Sequence, residues 1–196
     1  MRAVAFLVAV VALLAIPSPL AAHEGGSAAG LLSGLWHPIS GLDHVLAMVA
    51  VGILGSQLGP PAIWVLPVTF PMVMAFGGML ALMGLPLPGV EIGIGLSALL
   101  LGLMVAFEAK PDLRVAAVLV GFFAVFHGFA HGAELPAGQS AILYSIGFVA
   151  STGTLHVCGI GIGLIHRWDR GKRTLRAAGA GIAAAGAWFT WMAVFR

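Results

Sequence analysis

Six apolar stretches, each long enough to cross a bilayer as a helix and most of them parted by prolines, constrain this chain more than any other feature. They run roughly over 38–58, 62–84, 91–108, 114–134, 140–166 and 175–195. About 20 apolar residues, rising 1.5 Å each, span a hydrocarbon layer of about 30 Å. Pro60-Pro61, Pro86-Leu87-Pro88, Pro111 and Pro136 fall at the breaks, where a helix cannot continue. Charged residues make up only 8% of the 196, against about 25% in a soluble domain. That excludes a water-soluble enzyme, whose surface needs more charge, and equally a disordered chain, which needs polar composition. The expected fold is therefore an all-α integral membrane protein with six transmembrane helices and no soluble domain. The single cysteine, Cys158, excludes an internal disulfide framework and any multi-thiolate metal site.

The first segment reads as a signal peptide over residues 1–22. Arg2 precedes an unbroken apolar run from Ala3 to Ile16; Pro17 and Pro19 end it, and Ala21-Ala22 offer a cleavage site before His23. An uncleaved anchor helix is the alternative, but Ala3 to Ile16 reaches only about 21 Å against a core of about 30 Å. The transmembrane domain is then 23–196. Lys110 and Arg114 lie between the third and fourth stretches, and Arg167, Arg170, Lys172, Arg173 and Arg176 between the fifth and sixth; the breaks at 85–90 and 135–139 hold no lysine or arginine. The positive-inside rule makes the two basic loops cytoplasmic. An even number of spans puts both mature termini outside, where a cleaved signal peptide also delivers the N-terminus. The chain is expected as a multi-pass membrane protein.

On that topology the remaining polar chemistry gathers at the outer face. His37, Asp43 and His44 sit at the outer end of the first span, Glu91 opens the third, and His127, His131 and Glu134 close the fourth, with His23 on the N-terminal tail. Ionisable groups inside spans cost a few kcal/mol each and mark functional sites by default. His127 and His131 are four apart and Glu134 follows at three, so all three share a helical stripe and can converge on one cation; each histidine hydrogen-bonding across helices is the alternative. His37 and His44 stand about 10.5 Å apart along a regular helix. Either Pro38 and Gly41 bend the segment so that both reach one ion, or the two serve successive stations. Pro38 also suits an ordinary helix start.

His156 lies deep in the fifth span near Thr152, Thr154 and Cys158, and reads either as a further station on a path or as an interhelical hydrogen-bond partner. His166 and Glu108 belong at cytoplasmic ends in a solvated role. Met72, Met74, Met79 and Met83 fit gap-filling in a core better than soft-metal binding. Gly159-Ile-Gly161-Ile-Gly163 follows no strand, and no Gly-x4-Gly-Lys-Ser/Thr occurs, so the chain itself binds no ATP through a P-loop.

These residues carry a resemblance. His37-Pro-Ile-Ser-Gly-Leu-Asp-His44, Phe70-Pro-Met-Val-Met-Ala-Phe-Gly-Gly78, Glu91-Ile-Gly-Ile-Gly-Leu-Ser97 and His127-Gly-Phe-Ala-His-Gly-Ala-Glu134 are similar to the motifs of the HupE/UreJ family of bacterial nickel permeases. Leu155-His156 followed by Gly159 resembles the family's fifth-span pattern, and the likeness covers essentially the whole chain. It implies secondary uptake of Ni²⁺, or in some members Co²⁺, supplying hydrogenase, urease or cobalamin enzymes. It also implies that the positions of His37, Asp43, His44, Glu91, His127, His131 and Glu134 matter for transport, with Phe70 in support.

The donor chemistry suits that class. Imidazole nitrogen with carboxylate oxygen fits Ni²⁺, Co²⁺, Zn²⁺ or Fe²⁺ better than Cu(I), and a transported ion calls for no permanently bound cofactor. Capture by His23, His37 and Asp43, holding among His44, Glu91, His127, His131 and Glu134, and release past His156 is the expected order. Binding needs neutral imidazoles, so uptake should weaken on acidification toward about pH 6.5. A membrane-embedded zinc hydrolase is the rival: three histidines and an aspartate would hold Zn²⁺ with one open position and Glu134 would serve as general base, Ser40 or Ser97 assisting. Nothing in the sequence suggests a lipid-substrate cleft for it.

Overall fold

The computed structural model describes residues 27–195, and every regular element among them is a helix. The signal-peptide segment, His23 and Glu24 lie outside the described residues. In chain order the helices are α1 (Ser27–Ser40), α2 (Leu42–Leu58), α3 (Ala62–Leu82), α4 (Val90–Ala106), α5 (Leu113–Ala133), α6 (Ala141–Gly163) and α7 (Asp169–Phe195), with a 3₁₀ turn over Leu164–Arg167 leading into α7. Four are long and apolar enough to cross a membrane: α3, α5, α6 with its 3₁₀ extension, and α7. The α1–α2 pair makes a fifth candidate, bent by 79°, and α4 is a shorter apolar helix of 17 residues.

All six apolar stretches of the sequence thus carry a helix, with one correction at the start. The first stretch was expected to begin near residue 38, but helix already runs from Ser27 and Pro38 sits in its last turn, so Pro38 ends a helix rather than opening one. Gly41 follows in extended conformation (φ −96°, ψ 112°) and α2 begins after it. The Ser40 hydroxyl donates to the His37 carbonyl at 2.7 Å, satisfying an acceptor at the end of α1. Elsewhere Asp112 caps α5 by accepting from the Arg114 amide at 2.8 Å, and Ser140 caps α6 through the Leu143 amide.

Lipid gives apolar side chains no reason to prefer each other, so helices in membranes associate through close backbone approach at small residues. Here that produces intimate helix pairs. A Cβ on Gly77, Gly128 or Gly132 would strike the Val125, Met74 or Gly78 carbonyl, so α3 and α5 touch backbone to backbone. Gly52 and Gly159 bring α2 onto α6, Gly34 and Gly147 bring α1 onto the same helix, and Gly102, Gly179 and Gly186 join α4 to α7. Phe70, Met48, Leu54, Leu66, Leu101 and Val105 are fully enclosed between the helices. Trp64, Met72, Phe122, Ile142 and Trp188 point outward, which water would penalise and hydrocarbon does not.

Candidate metal centre

The bend at Gly41 decides the site. It turns α1 away from α2, so that His37 and His44 approach the end of α5 from two directions. The His131 imidazole lies 4.7 Å from the His37 ring and 4.3 Å from the His44 ring, centroid to centroid, and the His127 ring is 4.6 Å from that of His44. The regular-helix objection to a common site for His37 and His44 therefore falls. Space rather than backbone conformation favours glycine at position 41: a Cβ there would lie 2.9 Å from Asp43 Oδ1 and 3.2 Å from His44 Nδ1.

Hydrogen bonds fix which nitrogen of each imidazole is free. Asp43 Oδ1 accepts from both the His44 amide (2.8 Å) and His44 Nδ1 (2.9 Å), so Nδ1 carries the proton and Nε2 keeps its lone pair. The Ser97 hydroxyl donates to the Ile94 carbonyl at 2.6 Å. Its single proton is thereby used, so toward His127 Nε2, 2.8 Å away, it can only accept. His127 is therefore the Nε2–H tautomer with Nδ1 free. His44 Nε2, His127 Nδ1 and both nitrogens of His131 are buried with no hydrogen-bond partner. Each orphaned buried polar atom costs about 1–3 kcal/mol, and such groups call for an explanation. A ligand for those lone pairs supplies one, and an acceptor behind the opposite ring nitrogen is the usual support of a metal-binding histidine.

A second group overlaps the first. His37 Nε2 and Glu134 Oε2 are 2.9 Å apart, and one donor atom each from His37, His131 and Glu134 lie within 4.8 Å of one another. Glu134 caps the C-terminus of α5 and is exposed. His131 belongs to both groups. A cavity of about 200 Å³ lined by His37, Asp43, His44, Glu91, His131 and Glu134 opens beside them. Glu91 faces that cavity and makes no ion pair among the described residues.

The structure thus brings together His37, Asp43, His44, His127, His131 and Glu134, with Glu91 on the cavity wall. It regroups them, setting His37 against Glu134 and His131. His156 stands apart, buried, with Nδ1 donating to the Met48 carbonyl at 3.0 Å. His166 donates from Nδ1 to the Gly163 carbonyl at 2.9 Å at the far end of α6. The sequence reading missed the aromatic wall: Phe148 packs 4.1 Å from His131, and Tyr144 meets His37 at 5.9 Å with its hydroxyl buried and unpartnered. Tyr144 is the one tyrosine in the chain, which was the available signal. Ser97 was noted only as a possible assistant to hydrolysis, whereas its hydroxyl orients His127.

A bundle of apolar helices with a histidine–carboxylate cluster at one end defines a multi-pass membrane protein. The match to known proteins narrows this further. The family model described as HupE / UreJ protein matches residues 11–189, and the chain belongs to that family. It is 51% identical over 176 residues to Protein HupE of Rhizobium leguminosarum bv. viciae, covering 90% of this chain and 92% of that one. No solved structure matches it.

Proposed function

We propose that this protein is a secondary permease taking up a divalent transition metal ion, Ni²⁺ or Co²⁺, across the bacterial inner membrane. The observation that carries the reading is the set of unpartnered nitrogens on His44, His127 and His131 beside the His37–Glu134 pair. Borderline nitrogen donors with carboxylate oxygen and no thiolate suit these ions, with Zn²⁺ and Fe²⁺ as close relatives. Family membership carries the expectation of nickel or cobalt, destined for hydrogenase, urease or cobalamin enzymes, and favours a permease over a membrane zinc hydrolase.

The cycle opens with the cluster facing the periplasm. A cation entering the cavity beside Glu91 competes with protonation of His37 and Glu134, so binding weakens in acid. His44, His127 and His131 then take the ion through lone pairs already freed by their hydrogen bonds. Donors drawn from separate helices release the ion when those helices part. The cleaved signal peptide and the outward position of both mature termini belong to this proposal, and so does capture by His23 at the new N-terminus.

The test sets His131→Ala beside His131→Gln. Both remove an imidazole donor, and both should nearly abolish nickel and cobalt uptake per molecule of membrane-inserted protein. Glutamine preserves polarity and hydrogen-bonding capacity, so normal uptake by His131→Gln refutes the ligand assignment.

A further inference from the structure

His127 and His156 are linked in the structure by one side chain. The Phe70 ring is fully buried and meets the His127 ring edge-on at 5.3 Å and the His156 ring at 5.5 Å. His156 has the same preparation as the outer histidines. Its Nδ1–H is committed to the Met48 carbonyl, and its Nε2 is buried without a partner. One turn earlier on the same face, the Thr152 hydroxyl oxygen is also fully buried and unpartnered. A backbone carbonyl holding one ring nitrogen while the other is free is how a metal-binding imidazole is oriented. An interhelical hydrogen bond alone explains the Nδ1 contact and leaves both Nε2 and Thr152 Oγ1 without a purpose.

We propose that His156 and Thr152 form a second, inner station for a divalent cation, and that the Phe70 ring is the gate between it and the outer cluster. This rests on the transport reading of that cluster. A benzene ring donates no lone pair to a d-block ion, and the Phe70 ring touches both imidazoles, so an ion handed from one to the other meets it on the way. Its face nevertheless tolerates a passing cation, unlike an aliphatic plug. The backbone around Phe70 is suited to movement. Pro67 and Pro71 flank it within α3 and supply no amide hydrogens, which leaves the Ile63 and Pro67 carbonyls without their helical donors. The ring therefore sits where α3 is held by fewer hydrogen bonds than a regular helix.

The gate makes binding biphasic. Full-length protein in lipid nanodiscs is mixed rapidly with Co²⁺, and the visible ligand-field absorption is followed in time. Wild type should give a fast phase from the outer cluster and a slow phase from the inner station. His156→Gln, which can still donate to the Met48 carbonyl, should lose the slow phase and keep the fast one. Phe70→Leu, which keeps an apolar side chain but removes the ring, should speed the slow phase by roughly tenfold or more at unchanged amplitude. His131→Gln should lose the fast phase. A slow phase that survives in His156→Gln, or one whose rate Phe70→Leu leaves unchanged, overturns the inner station or its gate respectively. A fast phase alone in wild type overturns the proposal while leaving the outer cluster standing, and no Co²⁺ binding at all overturns both.

Discussion

Replacing Ser97 by alanine isolates the part of the site that sequence motifs do not explain. The Ser97 oxygen is the sole acceptor for the His127 Nε2–H, and His127 has no exposure to solvent. Without that oxygen the imidazole has two options. It can keep its proton on Nε2 and leave a buried donor unsatisfied, at about 1–3 kcal/mol. Alternatively it moves the proton to Nδ1 and loses the lone pair beside His44. Either way metal binding must restore the productive tautomer against that cost. The expected loss in Ni²⁺ or Co²⁺ affinity is roughly 10–100-fold, the range seen when partners behind metal-binding histidines are removed, or about 1.4–2.7 kcal/mol. Folded protein should fall only modestly, because hydrogen bonds between membrane helices average about 0.6 kcal/mol and a tautomer shift relieves the unsatisfied donor. Equilibrium Ni²⁺ binding to purified protein is the assay, with abundance in the membrane measured in parallel. Thr174→Ala is the control, since it deletes a similar hydroxyl bond to the Arg170 carbonyl on exposed α7. If Ser97→Ala binds within about twofold of wild type, the tautomer argument fails.

Other perturbations test different links. Gly41→Ala demands no forbidden backbone at φ −96°, so its effect comes from the new methyl pressing on Asp43 and His44; uptake should fall about tenfold with abundance unchanged, as read from uptake normalised to inserted protein. Gly128→Leu drives a side chain into the Met74 backbone, and overpacking of this kind costs about 1–3 kcal/mol or more, so folded protein should decline in a thermal or denaturant unfolding series. Activity reporters fused at Pro88, Gly138 and the C-terminus should be active outside and those at Gly59, Asp112 and Gly171 inside; a cytoplasmic C-terminus contradicts the topology.

Much of this was legible because helical spacing is local. The stripe of His127, His131 and Glu134 follows from i, i+4 geometry, and Pro38 with Gly41 announced a break that the structure shows as a 79° bend. What stayed hidden depends on which helices face each other. The apolar helices α3 and α4 are hydrophobic on nearly every side, so periodicity cannot tell their lipid face from their packed one. The pairing of His37 with Glu134, the Ser97 support behind His127 and the Tyr144–Phe148 wall all cross between helices, and no spacing within one helix encodes them. Helix α1 escaped because Ser27–Ser40 carries five glycine and serine residues beside its apolar ones, and these read as tail until α6 is present to receive Gly34.

The glycine contacts sort the histidines of the cluster into two sets. His37, His44 and His156 ride on helices joined to α6, on both sides of the Gly41 bend, while His127 and His131 ride on the α3–α5 couple. In the proposed transport site an ion takes nitrogens from both sets, so the number of ligands it feels would report the spacing across the seam between two interlocked bodies. A displacement of about 1 Å across that seam, too small to disturb packing inside either body, takes metal–nitrogen distances of about 2.0–2.1 Å out of bonding range. In the proposed transport cycle, the backbone-to-backbone fit that makes each couple stiff would turn a slight sliding motion into a steep change in affinity.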